Sequence, residues 1–207
     1  MPAVGVGLEY CERMNEKVKP VNMDGVRGYQ DRETLPLGNG GYVLRIMGAV
    51  EKQNSVGSYL EVSCDIAEGE YKDFFTSDYK AQTGDNKKWH CTKFINLPKD
   101  DGSEKDGWTK SHLKTFMDAL EGSNPGYHWD WDESKLKGKI VGGLFREEEY
   151  LGRTDNNIYT SVKLASWTTA DKIRTGKFKP LKKKCLNTEP STPSGAFTAV
   201  DDEQLPF

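Results

Sequence analysis

Residues 58–67 constrain the fold most, because large apolar side chains recur there at every second position. The apolar positions are Leu60, Val62, Cys64 and Ile66, and the positions between them are Tyr59, Glu61, Ser63 and Asp65. A period of two matches the alternation of side chains across a β-sheet. The segment therefore predicts a β-strand that directs its apolar side chains into a core and the intervening side chains outward.

Four further segments have strand character, and one has helical periodicity. Residues 42–52, 88–97, 139–150 and 158–168 are rich in β-forming residues and are bounded by turn-forming ones. In residues 109–122 the apolar side chains recur at helical spacing, at Leu113, Phe116, Met117 and Leu120. This stripe predicts an amphipathic helix that packs on the sheet. Residues 73–80 predict a short helical or irregular excursion.

The first and last strands predict which side chains share a face. In the first strand, one side carries Tyr42, Leu44, Ile46 and Val50. In the last strand, one face carries Tyr159, Lys163 and Trp167, and the other carries Ile158, Val162 and Leu164. The last pattern suits either a ligand-binding face backed by core or an ordinary solvated face.

The predicted order of elements is three strands, one helix and two strands. This is the order of an OB-fold, a five-stranded Greek-key barrel whose helix lies between strands three and four. The sequence therefore predicts a mainly β domain at residues 38–186, preceded by an N-terminal arm at residues 1–37. Other small α+β folds share this order of elements.

Composition limits the class of protein. The chain has 207 residues, enough for one domain with tails, and its mean hydropathy of −0.74 fits a modest core with long polar loops. It lacks an apolar run long enough to span a bilayer and an N-terminal signal segment, so we expect a soluble, cytoplasmic protein. Four widely spaced cysteines indicate neither a disulfide framework nor a zinc knuckle.

The C-terminal end combines a polar tether with an acidic, apolar tip. Residues 187–200 are mostly small or polar and predict a flexible, disordered linker. The tip that follows contains Asp201, Asp202, Glu203, Leu205, Pro206 and Phe207. Its carboxylates suit a basic rim and Phe207 suits a pocket, which predicts a docking tag for partner proteins. The alternative is an ordinary polar tail.

The tip is similar to the acidic Asp-Asp-x-x-Pro-Phe terminus of bacterial single-stranded-DNA-binding proteins. Residues 35–186 resemble a phage-encoded family of that class, through Glu-Gly-Glu-Tyr-Lys at 68–72, Leu-Lys-Gly-Lys at 136–139 and the run at 142–150. The resemblance implies a non-catalytic protein without a cofactor that coats single-stranded DNA during phage DNA replication, recombination and repair. It also implies that the tip recruits replication or recombination proteins. A homo-oligomer is compatible with it.

Binding of single strands without sequence preference needs aromatic faces for base stacking and cations along the backbone path. The predicted DNA-binding residues are Arg45, Tyr59, Lys88, Trp89, Lys93, Phe94, Trp129, Trp131, Arg146, Tyr159 and Lys163. Trp108, Lys87 and Arg153 are further candidates of the same kinds. Each aromatic side chain among them has core or rim packing as its alternative. The segment at 127–131 carries two tryptophans in an irregular polar stretch, where helix or strand packing needs neither. Its carboxylates repel phosphate, so the alternative is that this segment caps the barrel.

Charge is unevenly distributed along the chain. The formal net charge is −3, with acidic residues concentrated in the tip and at Glu147, Glu148 and Glu149. The basic residues before the linker are Lys172, Arg174, Lys177, Lys179, Lys182, Lys183 and Lys184. A basic body beside an acidic tail is compatible with nucleic-acid binding despite the negative total.

Enzymatic functions find little support in the sequence. Glu147, Glu148 and Glu149 alternate in direction along a strand, so they do not converge on one metal ion. His90, His112 and His128 lack the nucleophile motifs of hydrolases. We therefore predict a protein that is not an enzyme, with no metal site. The alternatives are an OB-fold protein-interaction adaptor and, less favoured, a nuclease or strand-annealing recombination protein.

Overall fold

A computed structural model of the chain describes residues 33–83, 86–153 and 155–186. Within these ranges it has five strands and three α-helices: β1 (Gly41–Gln53), β2 (Ser58–Ile66), α1 (Phe74–Ala81), β3 (Thr92–Asn96), α2 (Glu104–Ser123), β4 (Ile140–Leu151), β5 (Ile158–Thr168) and α3 (Ala170–Arg174). A 3-10 helix, Glu133–Leu136, precedes β4. The predicted mainly β fold with a helix between the third and fourth strands is confirmed.

The five strands form one antiparallel sheet in the order β3-β2-β1-β4-β5. The central strand, β1, pairs with β2 along most of its length and with β4 only at its start, from Gly41 to Arg45. Strands β3 and β5 are the two edges. No ladder joins these edges among the described residues, so the sheet is open.

The predicted core positions of β2 and α2 are confirmed. The apolar side chains of β2 are buried, as are those of Leu113, Phe116 and Leu120 in α2, and Met117 packs partly buried against them. Helix α2 begins earlier than the apolar stripe indicates, because the Ser103 hydroxyl caps it by accepting a hydrogen bond from the Asp106 amide at 3.1 Å. Leu35, in the predicted N-terminal arm, also lies in this core.

The prediction that Val50 shares one side of β1 with Leu44 and Ile46 is wrong. Val50 is 53% exposed, whereas Leu44 and Ile46 are fully buried. The pairing of β1 with β2 shifts between Ile46 and Gly48, so one extra residue of β1 is accommodated there. Such a bulge exchanges the two faces of the strand beyond it, which places Val50 on the solvent side.

A second bulge explains why Trp167 lies in the core. Leu144 pairs with Ser166 and Phe145 pairs with Leu164, so Ala165 is the extra residue of β5. Trp167, predicted to share a face with Tyr159 and Lys163, is therefore buried on the opposite side. Ile158, predicted to be core, is exposed because it lies near the end of the β4–β5 hairpin, beyond the last pairing of β4 with β1.

Asp65 was predicted to point outward, and it is instead fully buried. Its carboxylate accepts hydrogen bonds from the amides of Ile66 at 2.8 Å, Phe75 at 2.9 Å and Thr76 at 3.0 Å, and from the Thr76 hydroxyl. Two of these amides belong to the first turn of α1. Asp65 therefore caps α1 from the neighbouring strand, and α1 covers this end of the sheet.

Gly142 is the site of a close backbone approach. A Cβ atom added at Gly142 would lie 2.8 Å from the carbonyl oxygen of Thr168 and 2.7 Å from that of Thr169. The absence of a side chain thus lets β5 and the start of α3 pack directly on β4. The nearby bulge lies in β5 and not at Gly142.

Candidate nucleic-acid interface

Six side chains of the β4–β5 hairpin share one face of the sheet. The register pairs Arg146 with Lys163, Glu148 with Ser161, and Tyr150 with Tyr159. Residues directly opposite each other in an antiparallel pair lie on the same face, and so do alternate residues of one strand. We call these six residues the hairpin row. It has a charged end at Arg146 and Lys163 and an aromatic end at Tyr150 and Tyr159.

The aromatic end consists of two stacked and partly exposed tyrosines. The rings of Tyr150 and Tyr159 have centroids 5.8 Å apart and an interplanar angle of 29°, and Tyr159 is 43% exposed. The Tyr159 hydroxyl donates to the Asp155 carboxylate at 2.5 Å, and the Lys163 ammonium lies 5.6 Å from the Tyr150 centroid. The hydrogen bond and the cation hold the rings in place, so they form a preorganised surface for flat ligands.

The charged end is organised around the Glu148 carboxylate. Arg146 donates to the same oxygen of Glu148 from Nε at 2.9 Å and from Nη2 at 2.8 Å. Burial acts to raise the pKa of Glu148, but the hydrogen bond from Arg146 and the charges of Arg146, Lys184 and Lys163 outweigh it and lower the pKa. One carboxylate thus lies within the field of several cations.

Lys184 reaches this site because the chain returns to β4 after α3. Its amide donates to the Glu147 carbonyl at 2.9 Å, and its carbonyl accepts from the Glu149 amide at 2.9 Å, which forms a short parallel bridge beside Glu148. Lys183 pairs with the Glu149 carboxylate at 2.8 Å. The basic stretch and the acidic run noted in the sequence are therefore in direct contact, on the edge of β4 that β1 leaves free.

Lys93 connects the two edge strands at the same place. Its ammonium on β3 donates to the carbonyl of Ala165, the bulged residue of β5, at 3.0 Å. Burial lowers the pKa of Lys93. The charge of Glu148 acts to raise this pKa, and the charges of Arg146 and Lys184 lower it further. Lys93 therefore belongs to the same group of charges. We call Lys93, Arg146, Lys163 and Lys184 the cation cluster.

A second aromatic pair lies on the outward face of β2 and β3. Tyr59 and Phe94 meet edge to face with ring centroids 5.7 Å apart, and Phe94 is 59% exposed. In the register, Phe94 lies opposite Glu61, whose side chain pairs with Lys52 at 2.6 Å. Phe94 follows Lys93 directly in β3, so this pair adjoins the cation cluster along the strand, with the two side chains on opposite faces.

Two of the tryptophans predicted to bind DNA pack in or against the core of the protein. Trp129 is 3% exposed and packs against Phe116, and its indole donates to the Asp132 carbonyl at 3.1 Å. Trp89 is partly buried, with its indole donating to the Cys64 carbonyl at 2.9 Å. Since stacking on a base needs a free ring face, we leave both residues out of the candidate interface.

The remaining predicted residues lie away from the hairpin row. Trp131 and the further candidate Trp108 are exposed, but Trp108 belongs to α2 and Trp131 lies beside it, and α2 packs on the opposite, core side of the sheet. Arg45 pairs with Asp73 at 2.6 Å beside α1. Lys88 is exposed in the loop before β3, where its amide donates to the Gln82 side chain at 2.7 Å. The tip at 201–207 lies outside the described residues.

The structure brings together six of the predicted residues, in two adjoining groups: Tyr59 and Phe94 in one, and Lys93, Arg146, Tyr159 and Lys163 in the other. Sequence reasoning missed Tyr150, Glu148 and Lys184 as members of the site. The available signal for Tyr150 was its spacing of four residues from Arg146 on a strand, which puts the two on one face. Lys184 has no such signal, because its position depends on the path of the chain after α3.

No model of a known protein family matches the chain, and a search of curated proteins finds no match. In the described part of the chain, no three His, Cys, Asp or Glu side chains are grouped so that they could hold a metal ion. None of the helices within those ranges is both long and apolar enough to cross a membrane.

Proposed function

We propose that the protein binds single-stranded DNA across the β4–β5 hairpin, and that this coating function serves phage DNA replication or recombination. The observation that carries the proposal is the hairpin row, where stacked tyrosines adjoin a cluster of four cations. Bases stack on tyrosine faces whatever their sequence, and cations attract the phosphates between them. The site thus offers the two interactions that sequence-independent binding needs.

The topology supports an OB-type barrel as the scaffold. In an OB barrel the central first strand pairs with strands two and four, and strands three and five meet to close the cylinder. The sheet order here is the same, and Lys93 links the edges β3 and β5 through its hydrogen bond to Ala165. We propose that these edges form the seam of the barrel, with the lysine in place of ladder hydrogen bonds. The two aromatic pairs then flank the seam.

The charge distribution is compatible with this function. Residues 187–207 carry four acidic and no basic residues, and the whole chain has a net charge of −3, so the rest of the chain carries +1. Residues 1–186 therefore do not repel DNA strongly, and local cations dominate at the hairpin. The acidic tip is proposed to recruit partner proteins, on the basis of its sequence alone.

Oligo-dT binding measured by fluorescence anisotropy tests the proposed function. We expect tight binding at low salt, much weaker binding to the corresponding duplex, and a logarithmic salt slope of about −0.7 for each phosphate neutralised. A duplex leaves no base face free for stacking, which is the reason for the expected difference. Equal affinity for the two forms would contradict the proposal.

One observation favours the adaptor as the second candidate function. Trp108 and Trp131 are exposed near α2, while the lysines beside them, Lys110 and Lys114, are paired with Asp100 and Asp118. Aromatic side chains with neutralised neighbours are more typical of a protein-binding surface than of a DNA-binding one. Failure to bind oligo-dT at low salt would leave the adaptor as the better account.

A further inference from the structure

We infer that Glu148 occupies the subsite of a DNA phosphate and competes with that phosphate for the cation cluster. The inference rests on the proposed function and deepens it, because it places one phosphodiester group within the hairpin row. It also makes Glu148 a determinant of affinity, although a carboxylate by itself would be expected only to repel DNA.

The hydrogen bonds of Glu148 are those that a phosphate would make. Two donors of one guanidinium, Nε and Nη2 of Arg146, converge on a single carboxylate oxygen at 2.9 and 2.8 Å. Arginine presents the same fork of donors to carboxylates and to phosphates. A phosphate oxygen at the position of this carboxylate oxygen would therefore meet a guanidinium that is already oriented.

The cations around Glu148 exceed what one carboxylate neutralises. Lys163 lies opposite Arg146 in the register, Lys184 is bridged to Glu148 by the backbone, and Lys93 is held at the neighbouring seam. With Arg146 these residues supply four positive charges. A single carboxylate leaves the cluster positive, so an incoming phosphate is attracted even while Glu148 is in place.

Ser161 provides an independent indication of a phosphate subsite. It lies directly opposite Glu148, and its hydroxyl oxygen is buried but has no hydrogen-bond partner within the described residues. Buried hydroxyl groups are nearly always paired, and leaving one unpaired costs free energy. A phosphate bound in this subsite would supply an acceptor for that hydroxyl.

The neighbouring glutamates do not share this position. Glu147 and Glu149 point to the other face of β4, because side chains alternate along a strand. Glu149 is engaged by Lys183 and by the amide of Leu186 at 3.2 Å. In the bridge to Lys184, Glu147 takes part through its backbone carbonyl, which accepts from the Lys184 amide. Glu147 therefore offers a matched control, equal in charge and adjacent in sequence but outside the row.

The test compares Glu148→Gln with Glu147→Gln in the full-length protein, with oligo-dT as the probe across a range of salt concentrations. Glutamine keeps an oxygen that accepts from Arg146 and removes the competing charge. We expect Glu148→Gln to bind oligo-dT about tenfold more tightly than wild type at low salt. The reason is that the substitution removes, from a partly buried site, one negative charge that repels the DNA phosphate. Its salt slope should steepen by about 0.7, because one more phosphate is neutralised.

Glu147→Gln should stay within about twofold of wild type and keep its salt slope, since its carboxylate lies outside the subsite. Glu148→Ser repeats the test with a second side chain, and a melting curve for each variant establishes that it is folded. Equal effects of the Glu148 and Glu147 variants, with wild type binding normally, would overturn the subsite and leave the proposed function standing. Absence of binding by wild type and Glu148→Gln alike would overturn the function itself.

Discussion

Replacing Asp65 by alanine should lower the free energy of unfolding by about 3 kcal/mol or more, the largest stability effect that we expect in this protein. Asp65 is buried, and its carboxylate accepts from three amides and one hydroxyl. Alanine leaves those donors without a partner in a site that excludes water. The first turn of α1 then loses its cap, and the contacts of Phe75 with the core weaken with it.

Urea unfolding followed by circular dichroism measures this effect. Asp118→Ala is the matched control, because Asp118 is an exposed aspartate of α2 whose only described ion pair is to Lys114 on the helix surface. We expect that control to change the free energy of unfolding by less than about 0.5 kcal/mol. A loss below about 1 kcal/mol for Asp65→Ala would show that α1 does not depend on this cap.

Removing both tyrosines of the hairpin row should weaken oligo-dT binding at least about 30-fold. Each base that stacks on an aromatic side chain contributes about 1–3 kcal/mol, so two lost stacking positions cost about 2 kcal/mol or more. The double variant Tyr150→Ala with Tyr159→Ala keeps every member of the cation cluster. Its salt slope should therefore remain close to that of wild type while its affinity falls.

The control for this loss is the double variant Trp108→Ala with Trp131→Ala, measured by the same anisotropy titration. It also removes two exposed aromatic side chains, but from the helix side of the sheet. We expect it to bind oligo-dT within about twofold of wild type, a difference well below the free energy of one stacked base. A larger loss of oligo-dT affinity in this control than in the tyrosine variant would show that DNA binds on the helix side of the sheet. That result would contradict binding at the hairpin row.

The elements of the fold could be predicted because their signals are local. The period of two in β2 and the helical stripe of α2 depend on side chains that are close in sequence and bury one common face. The start of α2 at Glu104 is also encoded locally, through the Ser103 cap. The apolar stripe alone predicts a helix that begins at residue 109, later than the observed start.

The faces of the strands could not be predicted beyond the bulges. One extra residue near Met47 and another at Ala165 reverse the outward direction of the side chains that follow. Gly48 directly follows the first bulge, but the second has no neighbouring Gly or Pro. These bulges arise where neighbouring strands must bend together, which is a property of the sheet as a whole. Val50 and Trp167 were assigned to the wrong side for this reason.

The candidate site was only partly predictable because it depends on register and on a distant return of the chain. Tyr159 and Lys163 were evident as outward residues, but the stacking of Tyr150 on Tyr159 follows from a pairing fixed across the hairpin. The burial of Asp65 depends on α1 folding over β2, and the position of Lys184 depends on the segment after α3. Such tertiary contacts leave no periodic signal.

Photochemical crosslinking tests most directly where single-stranded DNA lies on this protein. An iodouracil-substituted oligo-dT would be irradiated with the full-length protein, and the attached tryptic peptides identified by mass spectrometry. We predict crosslinks in the peptides 147–153 and 154–163, which carry Tyr150 and Tyr159, and in the peptide 94–99, which carries Phe94. Crosslinks confined to the peptides of Trp108 and Trp131, at 106–110 and 115–135, would contradict binding at the hairpin row.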